Sequence, residues 1–208
     1  MLQTQTVEPG TLDVLKTLML VPEFSDFLLV GGTALSLLYG HRLSIDIDLF
    51  SSTDFDNELM AVVMNKNAPG FSYLNLNNPI GLFGFIDNLK VDLVKHYQHP
   101  LIASPVTIDG IRFMSTPDIM AMKVNAILRR GVKKDFWDIA ELLQHYTVQN
   151  FIDYYTKKYP GQLLAISIPS AMTYFEDAEE SEDPISLKGQ TWESVRQFIQ
   201  KKVSEYLS

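Results

Sequence analysis

Between Ile45 and Leu49 the chain alternates strictly between apolar and acidic residues, reading Ile45-Asp46-Ile47-Asp48-Leu49, and this follows closely on a Gly31-Gly32 step. No other stretch of the 208 residues restricts the fold as tightly. Residues two apart in a strand share a face, so Asp46 and Asp48 fall side by side while Ile45, Ile47 and Leu49 point the other way into a core. Upstream, Phe27-Leu28-Leu29-Val30 reads as a buried strand, Thr33 to Tyr39 as a short helix, and Gly40-His41-Arg42 as a polar turn. Two adjacent carboxylates repel, so a fold that sets them together supplies a cation or a proton. Oxygen-only ligation favours Mg²⁺ or Mn²⁺ over zinc. If Thr33 opens a helix, its first amides form an anion site suited to a triphosphate; alternatively Gly31 and Gly32 only make a tight turn. Arg42 is placed to reach a phosphate or simply to be solvated, and Ser44 to orient a carboxylate or a ligand.

The flanking sequence supplies the frame. Thr11 to Leu20 has the apolar spacing of a one-sided helix, with Thr11 as its cap, and Pro22 ends it. A helix of mixed polarity is predicted over Asp54 to Met64, then strands over Phe71 to Leu76, Leu82 to Asp87 and Leu89 to Val94. The third of these carries Asp92 among Val91, Leu93 and Val94. An acid there is costly to bury unless a shared cation relieves it, or it lies on an edge strand facing water. Ile108 to Phe113 reads as a hairpin or a strand with a turn. Ser115-Thr116-Pro117-Asp118 starts a helix that continues through Leu128 and carries a single cation, Lys123. Arg130 and Lys134 follow Lys123 at spacings of seven and eleven, which align on one helical face if Gly131 does not break it. A second helix opens at Lys133, where Lys134 and Asp138 make an ordinary i,i+4 pair. The remainder is helical with loops and closes on an amphipathic helix over Trp192 to Leu207, built on Trp192, Val195, Phe198, Ile199, Val203 and Leu207. His96-x-x-His99 reads as a surface loop, His41 and His145 as structural or solvated, and the acids of Glu176 to Asp183 as a solvated loop.

The string GGTALSLLYGHRLSIDIDLF resembles the first motif of the DNA polymerase β-like nucleotidyltransferases, and specifically of their AbiEii/AbiGii toxin-like branch. Lys123, Arg130-Gly131, Lys134-Asp135 and Asp138 resemble that branch's fourth motif, so the likeness spans nearly the whole chain. The resemblance implies an α/β fold: a small mixed, twisted sheet in residues 1–115 with flanking helices, and a helical region over 116–208. It implies that Asp46, Asp48 and Asp92 hold Mg²⁺ or Mn²⁺ and that Gly31, Gly32, Thr33, Arg42 and Ser44 receive the nucleotide. Lys123 would contact phosphates, and Arg130, Lys134, Asp135 and Asp138 would complete the pocket. The implied reaction moves a nucleoside monophosphate from an NTP to an RNA such as tRNA, a protein hydroxyl or a small molecule. A cognate antitoxin would be the partner. The alternative is a nucleotide-binding regulatory or partner-binding module without turnover.

Composition narrows these options. The net charge of −8 speaks against a broad phosphate-tracking surface, and the best local basic cluster is Arg129-Arg130 with Lys133-Lys134. Without cysteine there is neither a disulfide framework, a thiolate metal site nor a thiol nucleophile. No apolar run has the length of a membrane span, and the expected location is cytoplasmic.

Overall fold

A computed structural model describes residues 1–208. The chain forms two compact units. The first comprises residues 1–38, 44–100 and 104–114; the second comprises 39–43, 101–103 and 115–208. Two short segments of the N-terminal half are therefore counted with the C-terminal one.

The first unit is built on a mixed seven-stranded sheet. Its strands are β1 (Phe27–Leu29), β2 (Ile47–Ser51), β3 (Phe71–Tyr73), β4 (Gly81–Ile86), β5 (Leu89–Lys95), β6 (Val106–Ile108) and β7 (Ile111–Phe113), in spatial order β3-β4-β5-β2-β1-β7-β6. β2 runs parallel to β5, and β1 parallel to β7; the remaining pairs are antiparallel. One face is a dry core: Ile47 and Leu49, Val91 and Leu93, Leu82 and Ile86 alternate inward, with α3 (Asn57–Asn67) packed on β3 and β4. Asp56 caps α3 by accepting from the Leu59 amide at 2.9 Å. α1 (Pro9–Leu20) packs near β7, and α2 (Gly31–Tyr39) follows β1 directly. The guanidinium of Arg112 fastens this region by donating to the carbonyls of Met19, Phe24 and Phe27.

Several expected boundaries shift for local reasons. α1 begins at Pro9, where a missing amide costs nothing at a helix start, so Thr11 lies inside the helix and is not its cap. α2 begins at Gly31, ahead of Thr33. α3 starts at Asn57 behind its Asp56 cap, and β3 ends at Tyr73, short of Leu76. β2 starts at Ile47. Ile45 precedes the ladder and is 65 % exposed, contrary to its expected place in the core. It lines a groove of 420 Å³ with Val14, Ile86 and Leu89. The Ile108–Ile111 hairpin turns through Asp109 and Gly110, both at positive φ (51° and 80°).

The second unit is helical: α4 (Thr116–Ile127), α5 (Lys133–Leu142), α6 (Val148–Lys158), α7 (Ile168–Met172) and α8 (Trp192–Leu207). Ser115 caps α4, and α4 packs against α5 and α6 while α5 packs against α8. Trp137 stacks on Trp192 with ring centroids 5.7 Å apart, and Phe136 and Phe175 meet Trp192 edge-on. Leu207 is exposed and Phe198 half-buried, so the inner stripe of α8 is Trp192, Val195, Ile199 and Val203. Glu179 of the acidic segment anchors that helix instead of lying free in solvent. It accepts from Trp192 Nε1 at 3.1 Å and from Arg196 at 2.8 Å. No helix is long and apolar enough to cross a membrane.

Candidate active site

In the first unit the acidic residues converge by register. Asp48 on β2 is the ladder partner of Asp92 on β5, so both project from the face opposite the core. β5 lies between β4 and β2, and Asp92 is 7 % exposed, which rules out the water-facing edge position. Asp46 precedes Asp48 by two residues. Its backbone is pinned from α2: Thr33 Oγ1 donates to the Asp46 carbonyl, and Ser44 Oγ lies 2.8 Å from Thr33 Oγ1. With the Thr33 proton committed to the carbonyl, Ser44 is the donor of that second bond. The hydroxyls of Thr33 and Ser44 are thus buried supports.

The glycine step is set by this carboxylate. Gly31 sits at φ +71°, and a Cβ there would meet Asp48 Oδ2 at 2.6 Å. Only glycine permits both the left-handed backbone and that approach. The amides of Gly31, Gly32 and Thr33 open α2, and the first amides of a helix have no intrahelical acceptor.

Lys90, not singled out in the sequence, completes the cluster. It is two residues from Asp92 on the same strand, hence on the same face, and its ammonium bonds Asp92 Oδ2. Partial burial pushes the Lys90 ammonium down, but Asp92, Asp48 and Asp46 outweigh this and leave it above the ordinary lysine value. The other oxygen, Asp92 Oδ1, is buried without a hydrogen-bond partner. An orphaned carboxylate oxygen within an all-oxygen donor set fits a hard divalent cation. The side chains form no three-ligand group, and Asp92 Oδ2 is bonded by Lys90.

The second unit carries the other group of sequence candidates. Asp138 on α5 is fully buried and accepts from Arg42 through Nε at 2.7 Å and a terminal nitrogen at 3.0 Å, a two-pronged clamp. His41 Nε2 lies 2.7 Å from the same carboxylate, and Lys123 Nζ lies 2.6 Å from it and 2.8 Å from Asp135. Arg42 is therefore 3 % exposed instead of solvated. Burial pushes the Asp138 carboxyl up, but Arg42, Lys123 and His41 overcome this and hold it well below the usual range. Burial likewise lowers the Lys123 ammonium, and Asp135 and Asp138 more than restore it. Asp135 Oδ2 and His41 Nδ1 are buried and unpartnered.

Arg130 and Lys134 do not continue this cluster. α4 ends at Ile127, Gly131 turns at φ +42°, and α5 begins at Lys133. The aligned face from Lys123 through Arg130 to Lys134 therefore does not form, and both later cations are exposed. The partners of Asp138 come from Arg42, His41 and Lys123, which an i,i+4 pairing rule has no means of finding. His96 and His99 meet at a tilt with ring centroids 5.0 Å apart and are part of no three-ligand metal group. His41 is structural, and His145 is exposed.

Comparison with known proteins bears on the family and the fold. The chain is 35 % identical over 191 residues to the uncharacterized protein aq_aa25 of Aquifex aeolicus strain VF5, covering 88 % of this chain and 89 % of that one. Its fold is similar to a candidate nucleotidyltransferase from H. pylori (TM-score 0.57, 17 % identity, 97 % and 99 % of the two chains). It is also similar to MenT4, a nucleotidyltransferase toxin from Mycobacterium tuberculosis H37Rv (TM-score 0.57, 12 % identity, 95 % and 86 %). The family description for the nucleotidyl transferase AbiEii toxin of type IV toxin–antitoxin systems matches residues 13–70 and 83–188. With the ladder-paired carboxylates beside a Gly-Gly helix start and most of its length matched, the chain belongs to the AbiEii nucleotidyl transferase toxin family.

Proposed function

We propose that the protein transfers a nucleoside monophosphate from an NTP to an acceptor hydroxyl. The observation that carries this reading is the cross-strand pair Asp48–Asp92 set against the Gly31 turn, with Asp92 Oδ1 left unpartnered. The acceptor oxygen forms a bond to the α-phosphorus, the bond to the bridging oxygen breaks, and pyrophosphate leaves. The first amides of α2 bind the triphosphate. Asp46, Asp48 and Asp92 would hold Mg²⁺ or Mn²⁺, whose chemistry there is Lewis-acid neutralisation of charge on the phosphate oxygens. With Asp92 Oδ1 facing the cation, the acceptor's proton passes to Asp92 Oδ2 once Lys90 releases it, or to water. The family resemblance assigns Lys123 to phosphate contact, whereas its buried ammonium is held by Asp135 and Asp138. Arg42 is held by Asp138 as a framework residue, and the exposed Arg130 and Lys134 are assigned to phosphates of a nucleotide or an RNA acceptor. RNA such as tRNA, or protein, is the acceptor class, and a cognate antitoxin is the partner that family membership brings.

Incubation with labelled NTPs, Mg²⁺, total tRNA and lysate tests the reaction. Label should appear on an acceptor with wild-type protein and be lost with Asp48→Ala; an active Asp48→Ala variant would falsify the mechanism. One observation favours a second reading, a nucleotide-binding module without turnover: the Lys90 ammonium already neutralises Asp92. Its signature is NTP affinity with no pyrophosphate release in the presence of any acceptor.

A further inference from the structure

The sheet face that carries the carboxylates continues past them. In the β4–β5 ladder Phe83 is the partner of Asp92, and Phe85 the partner of Lys90. Across one layer of the open face the order is therefore Phe83, Asp92, Asp48, and along the neighbouring layer Phe85 stands beside Lys90, with Ser72 of β3 next to it. Phe83 is half-buried and Phe85 is 36 % exposed, unlike the core-facing Leu82 and Ile86 of the same strand, which are buried. Two rings two residues apart on one open face make a small aromatic shelf, one strand spacing of roughly 5 Å from Asp92.

Its side relative to the carboxylates matters. Gly31 and the α2 amides lie against Asp48, which places the triphosphate on the β2 flank. An in-line displacement brings the acceptor from the flank opposite the leaving group. Across the ladder that flank is β4, where the shelf lies.

We infer that Phe83 and Phe85 seat the unpaired terminal base of a nucleic-acid acceptor, holding its terminal hydroxyl toward Asp92. This rests on the nucleotidyl-transfer reading above. Stacking on an aromatic ring is independent of net charge and available to every base. It suits a chain of net charge −8, in which phosphate contacts supply little of the affinity. Lys90, beside Phe85 and partly exposed, gives the shelf one cation for the terminal phosphate.

The test uses the full chain, a short 5′-labelled single-stranded oligoribonucleotide and its blunt duplex. Wild type should bind the single strand more tightly than the duplex, and Phe85→Ala should weaken single-strand binding by about 5- to 150-fold, the range for one lost base stack. Phe85→Tyr should restore it, and NTP affinity should not change in either variant. Because Phe85 is exposed, the melting temperature should hold in both. Where transfer is measured, Phe85→Ala should raise the acceptor KM and leave the NTP KM alone. The seat is overturned if wild type shows no single-strand preference, if Phe85→Ala binds RNA normally, or if that variant loses NTP affinity instead. The two readings fail separately. Phe85-dependent RNA binding without any nucleotide transfer removes the reaction and leaves the seat, whereas transfer to a protein with Phe85→Ala fully active removes the seat and leaves the reaction.

Discussion

Both units gather acids and cations, but they use them in opposite ways. In the second unit Asp138 accepts from Arg42, His41 and Lys123, and every one of those side chains is buried. Its charges balance, two carboxylates against one guanidinium and one ammonium. In the first unit Asp48 and Asp92 share an open sheet face, Asp46 precedes the strand, Lys90 is the cation bonded to Asp92, and Asp92 Oδ1 is left without a partner. A buried cluster in which carboxylates face cations at close range fixes a fold, because removing a member strands its partner in low dielectric. A buried carboxylate oxygen without a hydrogen-bond partner beside an open face is a candidate ligand group. The difference separates framework from chemistry, and substitutions on each side should report it in different observables.

The largest effect belongs to the open ladder. Asp48→Ala should lower nucleotide transfer by at least about 10²- to 10³-fold, the scale for losing one preorganised electrostatic group. Its melting temperature should stay close to wild type, since Asp48 is only half-buried. The buried cluster should behave in reverse. Asp138→Ala leaves the buried Arg42 uncompensated, Lys123 keeping Asp135, and should cost on the order of 3–5 kcal/mol of folding stability, read from urea unfolding. The pH dependence follows in sign from the shifted carboxyl. Asp138 titrates well below its unfolded value, so its contribution is complete above the unfolded carboxylate range near about pH 4 and is lost as pH falls through the folded value. Wild type should therefore lose this contribution in acid, and Asp138→Ala should flatten that limb. A variant that lost activity and kept stability at Asp138 would move this residue to the chemical side of the comparison.

Gly31→Ala joins the two kinds of effect. The new methyl meets Asp48 Oδ2 and requires a left-handed backbone, which costs about 1–2 kcal/mol for an L-residue. Displacing Asp48 should reduce transfer as well. Loss of stability alone would show that the close approach serves the turn and not the carboxylate.

The open ladder was legible in sequence because period-two alternation fixes which side chains share a face, and Asp92 announced itself as an acid inside an apolar strand. Ile45 misled for the same reason: alternation continues in sequence two residues beyond the point where strand pairing stops. Lys90 was missed although the same period puts it beside Asp92. The buried cluster was legible only through resemblance. Its contacts join Arg42 to Asp138 across 96 residues, and no local period reports a contact of that range. Spacing arguments there pointed to a continuous cationic face from Lys123 to Lys134, which the positive φ of Gly131 interrupts.

The smallest predicted effect addresses the cation shared between the two readings of the ladder. Lys90 is nearly half exposed, so its ion pair with Asp92 should be worth about 0–1 kcal/mol, and Lys90→Met should shift the melting temperature little in the absence of divalent ions. Removing that ammonium leaves Asp92 with both oxygens free of it and Asp48 facing it across the ladder, so repulsion rises where a divalent cation would relieve it. Mg²⁺ should therefore raise the melting temperature of Lys90→Met by more than that of wild type, and should leave Asp48→Ala nearly unmoved. A ligand that binds only the folded state stabilises it in proportion to its affinity, so the comparison reads metal binding without any assay of turnover. Equal Mg²⁺ shifts in all three proteins would mean that the ladder is not where the ion binds. The open acids would then be held by Lys90 as the buried ones are by Arg42, and the contrast between the two units would reduce to one of exposure.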